Sequence, residues 1–265
     1  METSREPAGG TVTLASGAAL PLLGFGTWQI PEEQAPAAVA HALQVGYRHL
    51  DTATRYRNEA GVGRGLAESG VARDDVFVTT KLPPDRTAEA RPLLEQSLTS
   101  LGIDRLDLWL IHAPGGEDRD DPLVEAWEEM IGYRDEGLVA ALGVSNYTVE
   151  QLDVLTERTG VTPVLNQIVW SPSLWDPAVV AGHAERGVVL EGYSPLRKTN
   201  LEDPTLVEIA RAHDATAAQV VIAWHLARGY VVLPKSSNAD RITENFAATR
   251  LTLTPDELTQ VDGVE

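Results

Sequence analysis

Residues 46–56 read GYRHLDTATRY, an apolar run that ends on an acid, Asp51, and then a polar turn that carries Tyr56. Two later runs have the same form. VFVTTK (76–81) ends on Lys81, and LDLWLIH (106–112) ends on His112. Outward from these, short apolar runs recur at LLGFG (22–26), VAALGVS (139–145), PVLNQI (163–168), VVLEGYS (188–194) and YVVLPKS (230–236). That makes eight strands, with longer helical patterns between them. Strands that alternate with helices pair in parallel through helical crossovers. Eight such units close into one α/β domain, a (β/α)8 or TIM barrel; a doubly wound open sheet is the alternative. In a barrel the C-terminal strand ends meet at one face, where active sites form. The chain thereby directs an acid, a phenol, an amine and an imidazole to one place.

Helix starts are marked at several points. Pro31 precedes Glu32 and Glu33, and the pairs Asp121-Pro122, Asp176-Pro177 and Asp203-Pro204 each read as an N-cap followed by a first-turn proline. Thr148 with Gln151, and Thr216 with Gln219, fit capping boxes, and Thr254-Pro255-Asp256-Glu257 fits both signals. Two additions stand outside the simple repeat. Residues 11–23 read as a β-hairpin turning at Gly17, placed to cap the N-terminal end of the barrel. Two helical stretches, 203–213 and 216–228, lie where one would suffice. With no linker-like tract, a single domain over 1–265 is expected, with 1–10 flexible.

The formal net charge of −18 disfavours nucleic acid and anionic membrane surfaces as partners. Cysteine is absent, which excludes disulfides and thiolate chemistry. The six histidines form no HxH or HExxH arrangement, so no metal site is expected. The N-terminus METSREPAGG lacks the apolar stretch of a signal peptide, and no run approaches the roughly 20 apolar residues of a membrane span. A soluble, cytoplasmic protein is expected. No heptad or apolar stripe argues for an oligomer.

Each reactive residue alone is most often structural: a cap, a rim charge, a hydrogen-bonded histidine. Their placement at consecutive strand ends gives them joint meaning. A phenol, with a pKa of about 10, needs a neighbouring cation to act as an acid near neutral pH. Lys81 can supply it, with Asp51 holding Lys81 protonated. Tyr56 can then protonate a carbonyl oxygen while His112 hydrogen-bonds and orients it. No nucleophile is paired with its own base, so acyl transfer fits poorly.

The segments LGFGTW, GYRHLDTATRYRNE, TTKL, DLWLIH, GLVAALGVSNY, LNQI, GYSPL and LPKSSNADRITENF resemble the aldo-keto reductase superfamily, and its bacterial 2,5-diketo-D-gluconate reductase-like members in particular. The resemblance runs from the hairpin to near the C-terminus. It implies a barrel with an N-terminal hairpin and two extra helices, and an Asp51, Tyr56, Lys81, His112 tetrad. It implies a usually monomeric oxidoreductase that reduces aldehydes or ketones, a small-molecule carbonyl substrate, with NADPH. Cofactor contacts implied are Gly26 and Thr27; Ser145, Asn146 and Gln167 on the nicotinamide carboxamide; and Tyr193 beneath the ring, with Ser194 and Leu196 following it. Lys235, Ser236, Asn238, Arg241, Glu244 and Asn245 match the adenosine end. Lys235 and Arg241 suit a 2′-phosphate, which favours NADPH over NADH; an exposed Arg241–Glu244 helical pair is the structural alternative. GVGRG (61–65) is not GxGxxG, so no Rossmann site is expected.

The substrate pocket is expected at Trp28, Tyr56 and His112, with Trp170 and Trp175 as further candidates and Trp109 and Trp224 in the core. Pro83 and Ala113 stand where many relatives carry Trp, and little chain follows the last helix. An open pocket that favours bulky carbonyls is the expectation. Two rival readings are a non-catalytic NADPH-binding sensor or regulatory subunit, and a barrel lyase, isomerase or hydrolase using Lys81 as a Schiff-base amine.

Overall fold

The computed structural model describes residues 7–115 and 120–264, with the side chains of 120–122 outside the described set. A two-stranded antiparallel hairpin comes first, β1 (Thr11–Thr13) against β2 (Ala19–Pro21), with Val12 opposite Leu20. Gly17 sits in its turn at φ 86°, a left-handed conformation that glycine adopts without steric cost. Residues 7–10 form a hydrogen-bonded turn, and Gly10 accepts from Leu22 N–H at 3.1 Å. The flexible leader expected over 1–10 otherwise falls on residues 1–6, outside the described residues.

Eight parallel strands follow: β3 (Phe25–Gly26), β4 (His49–Asp51), β5 (Phe77–Leu82), β6 (Leu106–Ile111), β7 (Val139–Ser145), β8 (Leu165–Val169), β9 (Val189–Tyr193) and β10 (Val231–Leu233). They pair in chain order. The seam between β3 and β10 is closed by Gly24 N–H to Val232 O at 2.9 Å and Val232 N–H to Leu22 O at 2.8 Å. This is a (β/α)8 barrel with the expected hairpin. Its helices are α1 (Ala35–Val45), α2 (Glu59–Glu68), α3 (Ala90–Leu101), α4 (Asp120–Asp135), α5 (Val149–Thr159), α6 (Pro177–Glu185), α7 (Pro204–Ala212), α8 (Ala217–Ala227), α9 (Ala239–Ala247) and α10 (Pro255–Val261). Both α7 and α8 lie between the last two strands, and α10 follows the helix after β10, which accounts for two helices beyond the repeat.

Strand alternation sorts side chains into two environments. Val78, Leu82, Trp109, Ile111, Leu142 and Val144 face the helices in one core cluster. Phe77, Leu108, Leu110, Ala141, Leu165 and Val231 face inward, where the hairpin residues Leu14 and Leu20 join them. Apolar packing therefore fills the barrel floor, and the polar inward positions fall nearer the other end.

The capping signals are realised at Asp176, Asp203, Thr148, Thr216 and Thr254, whose side chains accept from first-turn N–H groups. Removing such a cap costs about 0.5–2 kcal/mol. Pro31 marks a turn instead of a helix start. Its carbonyl accepts from Gln34 and Ala35 N–H, and α1 begins at Ala35 with Gln34 as its N-cap. The Asp121-Pro122 cap lies outside the described side chains. GVGRG falls inside α2, where a Cβ on Gly61, Gly63 or Gly65 would come within 2.5–2.6 Å of backbone carbonyls of Glu32, Leu101 or Pro36. These glycines let α2 pack closely against its neighbours. Among the described residues no helix is long and apolar enough to cross a membrane.

Candidate active site

Register brings the reactive residues together. Asp51 ends β4 and pairs with Thr79, so Lys81, two positions on, lies beside it on the inner face. Lys81 is the penultimate residue of its strand, not the last. His112 lies one residue past β6, and its N–H continues the ladder to Leu82 O at 2.9 Å. Tyr56 closes a single 3-10 turn, 54–56, whose Thr54 hydroxyl donates to Lys81 O at 3.0 Å.

Lys81 is fully buried. Its Nζ lies 2.7 Å from both Asp51 oxygens, donates to Thr52 O at 2.9 Å and reaches Tyr56 Oη at 3.4 Å. Burial alone would favour the neutral amine, but Asp51 and Tyr56 outweigh it, and the Lys81 pKa lies above its usual value. Burial raises the Tyr56 pKa, Lys81 opposes this, and the net shift is upward. The expected effect of Lys81 on the phenol is present, but burial outweighs it, and the phenol stays protonated at neutral pH. The His112 ring stands edge-on to Tyr56, with centroids 5.7 Å apart. Burial, then Lys81 and Arg55, lower His112 to about 3, so the imidazole is neutral. Its Nδ1 is buried with no hydrogen-bond partner among the described residues, which leaves Nε2 for contacts in the cavity.

A cavity of about 590 Å³ opens above these groups. Asp51, Tyr56 and His112 line it, as do Gly26, Trp28, Ser145, Asn146, Gln167, Tyr193, Ser194, Leu196 and Lys235. Asn146 donates to Ser145 Oγ at 2.9 Å, Ser145 Oγ donates to Gln167 O at 2.8 Å, and Tyr193 Oη donates to Asn146 Oδ1 at 3.0 Å. This amide and hydroxyl cluster suits a carboxamide. Gln29, Asn146 and Ser194 hold left-handed backbone angles, φ 54–61°, at the cavity wall. Such conformations in non-glycine residues cost about 1–3 kcal/mol and gather at functional sites.

Other expected residues lie outside this wall. Thr27 is buried, its hydroxyl donating to Asp51 O at 2.9 Å. Ser236 Oγ accepts from Asn238 N–H at 3.1 Å. Asn238 caps α9 by accepting from Arg241 N–H at 3.0 Å, and Asn245 is buried on that helix. Glu244 accepts from the Thr216 hydroxyl at 2.8 Å instead of pairing with Arg241. Trp28 is 40% exposed on the cavity wall. Trp170 and Trp175 are not on it: Trp170 is buried edge-on to Tyr230, and the Trp175 indole N–H donates to Tyr230 Oη at 3.3 Å. Their place just past β8 suggested the pocket, but both chains of contact run into the core beneath α8. Trp109 packs on Tyr133 and Trp224 is buried, both in the core.

The profile of the aldo/keto reductase family matches residues 22–265. The chain belongs to that family. It is 42% identical over 253 residues to a methylglyoxal reductase, DkgA, of Salmonella typhimurium, covering 94% of this chain and 91% of the relative. It is 41% identical over 257 residues to an aldo-keto reductase of Mycolicibacterium smegmatis, covering 96% and 93%. An aldo/keto reductase of Brucella melitensis superposes with a TM-score of 0.90 at 42% identity, over 95% of this chain and 97% of that one. A Bombyx mori aldo-keto reductase in complex with NADP superposes at 0.87 with 32% identity, over 95% and 91%.

Reading this aldo/keto reductase from sequence missed part of the wall: Gln29, Val169, Pro195, Arg197, Lys198, Leu233 and Pro234. A signal was available. Of the 21 basic residues only three are lysine, Lys81, Lys198 and Lys235. Lys198 and Lys235 line the cavity, and Lys81 lies beneath it against Asp51 and Tyr56. Arg197 adds a guanidinium 5.8 Å from the Trp28 ring centroid. Glu191, an acid inside the apolar run VVLEGYS, was missed as well.

Proposed function

We propose that the chain is an NADPH-dependent reductase that converts aldehydes or ketones to alcohols, with Tyr56 as proton donor. The observation that carries this is the Tyr56 hydroxyl 3.4 Å from the fully buried Lys81, itself paired with Asp51, at the foot of the cavity. The residues fit the cofactor. Ser145, Asn146 and Gln167 would hold a carboxamide, Tyr193 the ring, and Arg197, Lys198 and Lys235 the phosphates. Arg241, with no ion-pair partner among the described residues, would add to the 2′-phosphate. NADPH held there would supply the hydride, an electron pair with its hydrogen, that a carbonyl carbon needs for reduction. The NADP complex of the silkworm relative supports this choice of cofactor.

The chain's own part is proton handling. Tyr56 gives its proton to the carbonyl oxygen as negative charge develops there. Lys81 stabilises the phenolate left behind, and Asp51 holds Lys81 in place. His112, neutral, donates a hydrogen bond to the same oxygen and fixes the carbonyl against Tyr56. The intact tetrad disfavours a purely sensory role. A Schiff base on Lys81 is disfavoured too, since its amine is kept protonated by Asp51. We place the enzyme in the cytoplasm, acting as a monomer on a small-molecule carbonyl substrate.

Turnover of a carbonyl panel with NADPH and with NADH tests the reading. The panel includes methylglyoxal, after the methylglyoxal reductases among the relatives, and the bulkier ketones that an open cavity favours. Carbonyl-dependent oxidation of NADPH in preference to NADH supports the proposal. Cofactor binding with no turnover of any carbonyl would refute it.

A further inference from the structure

Beneath the reacting groups the barrel holds a second carboxyl that the proton transfer does not use. Glu191, on β9, is fully buried, two residues before Tyr193 on the same face. Gln167 on β8 pairs with it in register and donates from Nε2 to Glu191 Oε1 at 2.5 Å and to Asp51 Oδ2 at 2.8 Å. One amide nitrogen carries two hydrogens. Both are committed to carboxyls, which leaves the amide oxygen for the cavity that Gln167 lines.

The titratable groups facing Glu191 are Asp51 and His49 from β4 and Lys81 from β5; its β10 partner is Val231. His49 Nε2 is 3.9 Å from Glu191 Oε2 and lies closer, 3.2 Å, to Thr79 Oγ1. Burial and Lys81 lower His49 to about 3, so it is neutral and offers no counter-charge. The interior thus has two carboxyls and one cation, and Lys81 lies against Asp51. A second buried anion would be uncompensated. Burial, then Asp51, raise Glu191 to about 8, against the opposing effects of Gln167 and Lys81.

We propose that Glu191 is a positioning residue of the reduction: its carboxyl anchors the Gln167 amide beside Asp51, and its charge sets how firmly Lys81 draws on the Tyr56 phenol. This rests on the reading of Tyr56 as proton donor. With Glu191 neutral, Asp51 alone balances Lys81, and the ammonium acts on the Tyr56 hydroxyl. Once Glu191 ionises, a second anion stands behind Asp51 and cancels part of the Lys81 field. Tyr56 then holds its proton more tightly and donation slows.

The test compares kcat for carbonyl reduction from pH 6 to 10 in the wild type, Glu191→Gln and Glu191→Leu, with difference infrared spectra of the carboxylic acid band in the free protein. The wild type should lose activity through a limb near pH 8, and E191Q should lack that limb. E191Q should also keep several-fold more kcat at pH 7 than E191L, because glutamine returns an acceptor to Gln167. The infrared band should disappear near pH 8 in the wild type and be missing in E191Q. Superimposable alkaline limbs in the wild type and E191Q, or equal kcat in E191Q and E191L, would overturn the proposal. Should E191Q fail to fold, the wild-type infrared titration decides alone, and no carboxyl titrating near pH 8 overturns it. Full turnover in Tyr56→Phe would instead remove the proton-donor reading and leave the infrared result to stand by itself.

Discussion

Asp51→Asn should cost far more stability than one surface charge, because it strands Lys81. That ammonium is fully buried, holds both Asp51 oxygens at 2.7 Å, and among the described residues its other hydrogen-bond partners are Thr52 O at 2.9 Å and Tyr56 Oη at 3.4 Å. Breaking a buried pair by removing one partner costs about 3–5 kcal/mol. At roughly 2–4 °C per kcal/mol for a chain of this size, Tm falls by about 6–20 °C. Lys81→Met should cost a similar amount, since it leaves Asp51 with Gln167 as its remaining side-chain donor. Removing both charges together is different, because an uncharged replacement for a buried pair is often close to neutral. The double variant should therefore be less destabilised than the sum of the singles by at least about 2 kcal/mol. Urea denaturation at pH 7 of the four proteins measures this coupling. Strictly additive losses would refute the claim that Asp51 and Lys81 act as one unit.

Stability should peak near neutral pH. His49 and His225 are buried and lowered to about 3 and about 4 by burial first. Unfolding lets them take up protons, so each removes about 1.4 kcal/mol per unit as pH falls below about 6.5. Glu191, raised to about 8, acts in the opposite sense: its contribution is full below the unfolded value of 4.5 and is lost as pH rises through 8. Urea midpoints from pH 4.5 to 9 that climb without a maximum would contradict this assignment. Lysine-directed acylation should mark Lys198 and Lys235, the two exposed lysines, and NADP+ should protect both; unchanged labelling would remove them from the cofactor site. Lys235→Ala combined with Arg241→Ala should weaken NADPH at least tenfold more than NADH in fluorescence titrations, and an unchanged ratio would reject the 2′-phosphate assignment.

The barrel was legible because each strand carries its own apolar signal and the later helices, α5 to α10, each carry a capping side chain. Asp51, Lys81 and His112 were found for the same reason: a reactive side chain at the end of an apolar run has one place to go in a parallel barrel. What stayed hidden depends on contacts between strands distant in sequence. Gln167 bridges Asp51 and Glu191 across 116 and 24 positions, and no local pattern encodes such a bridge. Trp170 and Trp175 misled because the turn after β8 folds them back toward Tyr230. Pro31 misled because a proline opens a tight turn as readily as a helix. The net upward shift of Tyr56 was hidden too, since the balance between burial and Lys81 is set by depth in the folded barrel.

The central claim is that Tyr56 gives the proton. The direct test follows NADPH absorbance on mixing with carbonyl substrates, for the wild type and for Tyr56→Phe, beside a fluorescence titration of NADPH on both. The account predicts carbonyl-dependent oxidation in the wild type, a loss of about 10²–10⁴-fold in Tyr56→Phe, and NADPH affinity within a few-fold of wild type. Tyr56→Phe turning over at the wild-type rate would contradict it.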